Sequence, residues 1–90
     1  MRWRVELSAE AEKQLAKFPR NVQTRLSHII DELESRDDAQ WSNVKALQGL
    51  QWKGRFRKKA GPYRIIFTKR PERSVIEISA ILLRSKDTYR

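Results

Sequence analysis

Residues 52–64, WKGRFRKKAGPYR, form the stretch of this chain best suited to chemistry, because they hold six cations and no acid. Residues alternate there with the period of a strand, so Arg55 and Arg57 should lie on one face. After a turn, the alternating run YRIIFT places Arg64 on that same face. Arginine stays charged and its planar fork can bind two phosphate oxygens. The pattern favours an anion site over the simpler alternative, a charged edge strand that resists aggregation.

The distribution of charge along the 90 residues supports a polyanion partner. Residues 1–45 hold eight Lys or Arg and eight Asp or Glu, which cancel. Residues 46–90 hold twelve cations and three acids, and therefore the whole net charge of +9. Such asymmetry indicates that one part of the fold binds nucleic acid or an acidic protein.

The elements that must position these cations can be predicted from periodicity. Residues 2–7, RWRVEL, alternate as a half-buried strand. Ser8 is a predicted N-cap for a helix that Pro19 ends, and Asn21 is a predicted N-cap for a second helix reaching Ser35. The segment 36–51 is predicted as a loop with a helical turn.

Three alternating runs from residue 52 onward predict the rest of the sheet. In the last run, VIEISAIL, the expected core residues are Ile76, Ile78, Ala80 and Leu82. Lys53 is in phase with the arginines, while Lys58 and Lys59 are expected in the turn. The predicted fold is α+β: a single domain over residues 1–90, with an N-terminal strand, a helical hairpin and a three-stranded antiparallel meander that completes the sheet.

Composition argues against several other classes. With no Cys and one His, the chain offers no N/S metal site or disulfide, and we expect neither metal nor cofactor. There is no signal-peptide pattern and no run of about 20 apolar residues, so we expect a cytoplasmic protein that does not bind a membrane.

An ordered set of segments resembles one known family. The basic hairpin RFRKKAGPYRIIF, preceded by VKALQGL and followed by a last strand and the tail LLRSKDTYR, is similar to the RelE/ParE superfamily of toxins, and to its RelE-like members in particular. The resemblance covers nearly the whole chain. It implies a compact α+β fold with an antiparallel sheet, and a cognate protein antitoxin of a type II toxin–antitoxin module.

The resemblance also implies two alternative activities. RelE-like members are mRNA interferases, endoribonucleases that cut mRNA in the ribosomal A site and so inhibit translation. ParE-like members poison DNA gyrase and are not nucleases. We expect the RelE-like activity, with the ParE-like activity as the alternative and an inactive relic of either as a third reading.

Site residues are carried over by position from the RelE-like pattern. Arg64 matches the arginine placed against the scissile phosphate, and Arg55 and Arg57 match two basic positions that are lysine in some members. The expected catalytic residues are Arg55, Arg57, Arg64, Arg84 and Tyr89. The expected RNA-binding residues are Lys53, Lys58, Lys59, Lys86 and Arg90.

The reaction would use the 2′-hydroxyl of RNA as nucleophile on the adjacent phosphorus. Arginine suits the stabilisation of the anionic phosphorane, but it is a poor proton acceptor. A lysine whose pKa is depressed by neighbouring cations could accept the proton, and Lys53, Lys58 and Lys59 are the candidates. The general base is therefore left open by the sequence.

Overall fold

A mixed five-stranded sheet carries two helices on one face in the computed structural model, which describes residues 2–37, 40–49 and 54–83. The strand order across the sheet is β1-β5-β4-β3-β2. The helices are α1 (Ala9–Lys17) and α2 (Arg20–Ser35). The strands are β1 (Arg4–Leu7), β2 (Val44–Ala46), β3 (Arg55–Ala60), β4 (Tyr63–Arg70) and β5 (Val75–Leu83).

The predicted α+β fold is confirmed, including the antiparallel meander of β3, β4 and β5. The sheet is not wholly antiparallel, however, because β1 pairs in parallel with β5. The chain reaches this arrangement because the two helices cross over between β1 and the later strands.

Helix α1 begins where the sequence predicts. The Ser8 hydroxyl accepts a hydrogen bond from the Ala11 amide at 3.1 Å, and Glu10 and Glu12 lie in the first turn, where the helix dipole favours acids. The helix is tied to β5 by its side chains, since Gln14 Oε1 accepts from the Ile81 amide at 2.6 Å. This bond ties α1 to β5, the strand next to β1 in the sheet.

Helix α2 presents the predicted apolar stripe to the sheet and ends at Ser35 as expected. Its N-cap is Pro19 rather than Asn21, and no side chain caps this end. Pro19 φ is −57°, close to the helical value, and its carbonyl accepts from the Val22 and Gln23 amides. Near the other end of α2, Glu34 Oε2 accepts from the Val5 amide at 2.8 Å and so occupies a donor of β1.

The sequence predicts a loop with a helical turn within residues 36–51. The Gln40 amide does donate to Asp37 O at 2.8 Å, a bond of the 3₁₀ type, but the segment also contains strand β2, which was not predicted. Val44 to Ala46 pair antiparallel with Phe56 to Lys58 of β3. The strand is too short to show an alternating pattern in the sequence. It adds a fourth antiparallel strand, and it places Lys45 opposite Arg57.

A bulge in β5 changes which of its residues reach the core. Ile66 of β4 pairs with Ala80, but Phe67 pairs with Ile78, so Ser79 is an extra residue. Beyond the bulge the phase is inverted: Ile81 is buried in the core. The prediction that Ala80 and Leu82 face the core is therefore wrong. Both polar groups of Ser79 are hydrogen-bonded in the bulge. Its hydroxyl donates to Ile66 O, and its carbonyl accepts from the Ser8 hydroxyl.

The core lies between the helices and one face of the sheet. Phe67, Ile65, Ile76 and Ile78 are fully buried, and they pack against Leu26 and other residues of the α2 stripe. The opposite face of β3, β4 and β5 is here called the distal face. It carries the alternate residues of the same strands: Arg55, Arg57, Lys59, Arg64, Ile66, Thr68, Arg70, Val75, Glu77, Ala80 and Leu82.

Candidate anion-binding face

Strand β3 holds three cations on the distal face because its residues alternate without interruption. Phe56 and Ala60 belong to the core cluster on the helix side. Arg55, Arg57 and Lys59 therefore point the other way. Arg55 and Lys59 are exposed and Arg57 is half-buried. Three of the predicted site residues thus share one strand and one face.

Strand β4 brings Arg64 next to them. The Gly61–Pro62 turn joins β3 and β4, so that Ala60 pairs with Tyr63 and Lys59 pairs with Arg64. Gly61 has φ +61°, which a two-residue hairpin turn of the primed type requires and which glycine adopts without strain. The turn therefore sets the register that places Arg64 against Lys59.

Arg64 is held in place by the turn itself. Its Nη1 donates to Gly61 O at 2.7 Å and to Tyr63 O at 2.8 Å. Its side chain is also buried, with 4% of the residue exposed. Because both Nη1 donors are engaged, a phosphate would bind Arg64 through Nε and Nη2. The sequence placed Arg64 on the correct face but did not predict this burial.

Two of the four cations, Arg55 and Arg57, lie opposite small or apolar residues of β4. Arg57 pairs with Ile66 on one side and with Lys45 of β2 on the other. Arg55 pairs with Thr68. Adjacent strands lie about 4.8 Å apart, so these charges are close enough to bind neighbouring oxygens of one phosphodiester chain. Lys45 is a member of this row that sequence reasoning missed, because β2 was not recognised.

Lys58 lies on the other face and is not in a turn, contrary to the prediction. It is 4% exposed, and its Nζ donates to Ser42 O at 2.8 Å. Burial lowers its pKa from 10.5; nearby Glu32 partly opposes this shift, and Arg36 adds to it. The structure therefore separates Lys58 from Arg57 and Arg64 by the thickness of the sheet.

Lys59 was also predicted in the turn, but it lies within β3 and on the distal face. Five other predicted residues lie outside the described part of the chain: Lys53, Arg84, Lys86, Tyr89 and Arg90.

Glu77 of β5 is a further charged residue on the distal face that the sequence analysis did not select. It pairs with Thr68, which in turn pairs with Arg55. The Arg70 Nη2 atom is 3.7 Å from Glu77 Oε1. Its position could have been found by alternation, because Ile76 and Ile78 on either side of it both face the core.

Two negative findings apply to residues 2–37, 40–49 and 54–83. No group of three or more His, Cys, Asp or Glu in these ranges could hold a metal ion. No helix there is long and apolar enough to cross a membrane.

Comparison with solved structures shows a shared fold over almost the whole chain. The chain is similar to the archaeal RelE–RelB complex from Pyrococcus horikoshii, with 26% identity and a TM-score of 0.75 over 96% of this chain and 99% of that one. It is similar to the RelBE2 toxin–antitoxin complex from Mycobacterium tuberculosis, with 19% identity and a TM-score of 0.72 over 93% and 100% of the two chains. It also resembles YafQ from Escherichia coli, with 14% identity and a TM-score of 0.72 over 92% and 94%.

Sequence comparison identifies the family. No curated protein sequence matches the chain. The family model described as "ParE toxin of type II toxin-antitoxin system, parDE" matches residues 5–88, which include both helices and all five strands except Arg4, the first residue of β1. The chain therefore belongs to this family of type II toxin–antitoxin toxins, within the RelE/ParE superfamily.

Proposed function

We propose that this toxin is a ribosome-dependent mRNA endoribonuclease of the RelE-like type. The observation that carries the proposal is the distal face: Arg55, Arg57 and Lys59 of β3 lie on one face, beside Arg64 of β4. Phosphate in a single-stranded RNA is the ligand that such a row of fixed cations fits.

Each arginine has a defined task in the proposed reaction. The 2′-oxygen of RNA attacks the adjacent phosphorus, and the phosphorane carries more negative charge than the substrate does. Arg57, half-buried between Lys45 and Ile66, can bind the non-bridging oxygens where this charge develops. Removing one such donor from comparable sites costs roughly 2.7–4 kcal/mol, a factor of about 10²–10³ in rate.

Arg64 contributes through its fixed position. The two carbonyls that hold Nη1 orient the guanidinium before substrate arrives, so little side-chain entropy is lost on binding. Arg55 and Lys59 are exposed, and they suit the flanking phosphates better than the scissile one. We propose Arg84 and Tyr89 as further catalytic residues, and Lys53, Lys86 and Arg90 as further RNA contacts, on the resemblance of the tail and hairpin alone.

The proposed partners follow from the relatives. The similar chains from Pyrococcus horikoshii and Mycobacterium tuberculosis come from toxin–antitoxin complexes. We propose that a cognate antitoxin likewise neutralises this chain, and that the toxin acts in the cytoplasm on mRNA in the ribosomal A site.

The second candidate function is inhibition of DNA gyrase without nuclease activity. The matched family model is that of the ParE toxin, and this observation favours it. The fold does not separate the two candidates, because this chain matches the ParE family model and also shares its fold with RelE and YafQ.

Primer extension on mRNA from a reconstituted translation mixture separates the candidates. The RelE-like proposal predicts cuts at defined positions within codons, only when ribosomes are present. Purified gyrase and supercoiled plasmid are assayed in parallel. Intact mRNA together with arrested, cleaved gyrase–DNA complexes would establish the ParE-like activity and overturn the first proposal.

A further inference from the structure

The distal face lacks an obvious proton acceptor among its cations. Arginine keeps its proton, and a lysine ammonium has three donors and no lone pair. Lys58, whose pKa is lowered by burial, lies on the opposite face of the sheet. Within the described part of β3, β4 and β5, Glu77 is the acid that shares a face with Arg55, Arg57 and Arg64.

Glu77 lies in the same row as Arg55. Arg55 pairs with Thr68, and Thr68 pairs with Glu77, so the two charged residues flank a small side chain. Two interstrand spacings, about 9.6 Å, separate the backbones of β3 and β5. A phosphodiester bound by Arg55 above Thr68 would therefore present its neighbouring ribose to the Glu77 carboxylate.

The surroundings of Glu77 orient its carboxylate without enclosing it. Arg70 Nη2 lies 3.7 Å from Oε1, while 43% of the Glu77 side chain remains exposed. The other charged neighbours on this face are Glu6, its parallel partner on β1, and Arg4, which lies 3.6 Å from Glu6. Arg55 is the nearest cation across Thr68. A carboxylate held on one side and open on the other can accept a proton from a substrate.

We propose that Glu77 is the general base of this toxin, an inference that rests on the proposed endoribonuclease function. Glu77 takes the proton of the 2′-hydroxyl while the bond from the 2′-oxygen to phosphorus forms. The bond from phosphorus to the 5′-oxygen breaks, and that oxygen takes a proton from solvent water. The products are a 2′,3′-cyclic phosphate and a 5′-hydroxyl, and the protonated Glu77 returns its proton to solvent.

The experiment compares Glu77→Gln with the matched control Glu6→Gln. Glu6 lies on the same face as Glu77 and in the same row, one strand farther from Arg55, Arg57 and Arg64. Ribosome-dependent cleavage is measured by primer extension, and binding to a short single-stranded RNA is measured separately. Glu77→Gln is expected to lower the cleavage rate by about 10²–10⁴-fold. It should leave RNA binding unchanged or tighter, because a negative charge has been removed, while Glu6→Gln cleaves like the wild type.

Three results would overturn the inference. Wild-type cleavage by Glu77→Gln would show that this carboxylate does not accept the proton. Equal losses of RNA binding and cleavage, together with a lower melting temperature, would show that the Arg70–Glu77 pair is structural. A wild-type protein that cuts no mRNA would overturn the proposed function first, and that outcome is distinguished by the wild-type lane of the same assay.

Discussion

Lys59 of β3 and Arg64 of β4 are direct cross-strand partners, next to the Gly61–Pro62 turn. Like charges in this relationship destabilise a sheet unless they are separated or screened. Arg64 turns its Nη1 onto two backbone carbonyls, while Lys59 stays exposed. The pair therefore combines a fixed cation with a solvated one, an arrangement that an RNA phosphate can relieve.

Replacing Lys59 should weaken RNA binding without unfolding the protein. Lys59→Gln removes one phosphate contact and also the repulsion of Arg64, so the free energy of unfolding should not fall. For single-stranded RNA, the slope of log K against log salt concentration should decrease in magnitude by about 0.7. Fluorescence anisotropy over a salt series measures this slope. An unchanged slope would show that Lys59 does not contact RNA phosphate.

Replacing Arg57 should remove catalysis at little cost in stability. Arg57→Gln keeps a half-buried polar side chain but loses the charge that stabilises the phosphorane. We expect ribosome-dependent cleavage to fall about 10²–10³-fold. The control is Arg73→Gln, an exposed residue of the 3₁₀ turn Pro71–Arg73, which lies at the opposite end of β4 from the Gly61–Pro62 turn. Equal activity of both variants would contradict the role of Arg57.

Replacing Arg64 should affect stability as well as cleavage. Arg64→Ala leaves the carbonyls of Gly61 and Tyr63 without their charged donor, and hydrogen bonds to charged groups contribute about 1.5–3 kcal/mol each to stability. Urea unfolding should show a loss of this order, whereas Arg73→Ala should show none. A variant as stable as the wild type would mean that these two bonds do not hold the hairpin, and full cleavage by it would exclude Arg64 from the reaction.

The Gly61 turn offers a test of the register that positions Arg64. Gly61 has φ +61°, and a Cβ added there would meet nothing within 4 Å, so the cost of Gly61→Ala is confined to the backbone. We expect a loss of about 1–2 kcal/mol in unfolding free energy. Gly61→Asn should lose less, because asparagine adopts left-handed conformations more readily. Equal losses for Ala and Asn would show that the left-handed backbone is not the cause.

The buried Lys58 predicts a specific pH dependence of stability. The pKa of Lys58 in the folded protein is below the unfolded value of 10.5. At a pH between these two pKa values, the unfolded chain therefore binds more protons than the folded protein does. Wild-type stability should therefore gain a contribution that rises with pH across this window. Lys58→Met lacks this contribution, and at neutral pH it should be at least as stable as the wild type, since no charge is buried.

Differential scanning fluorimetry of wild type and Lys58→Met over a pH series checks this. Lys59→Met is the matched control, because Lys59 is adjacent in β3 but exposed. Melting curves of Lys58→Met that parallel the wild type at every pH would contradict the prediction.

Local sequence determined the elements that rest on short-range chemistry. The Ser8 cap, the α2 stripe and the alternation of Arg55 and Arg57 each depend on neighbouring residues, and the structure confirms each of them. The assignment of Arg64 to the same face also follows from alternation, once the turn is placed. These features are set by helix and strand periods, which a single sequence displays.

Tertiary structure decided the features that depend on pairing between distant segments. The Ser79 bulge shifts Ile81 into the core. It depends on contacts on both edges of β5: pairing with β4 on one edge, and the hydrogen bond from the Ile81 amide to Gln14 of α1 on the other. The short strand β2 forms by pairing with the edge of β3. The burial of Lys58 depends on the Ser42 carbonyl, which accepts a hydrogen bond from its ammonium group. The row from Arg55 through Thr68 to Glu77 likewise depends on registers across three strands, and no local pattern specifies a register.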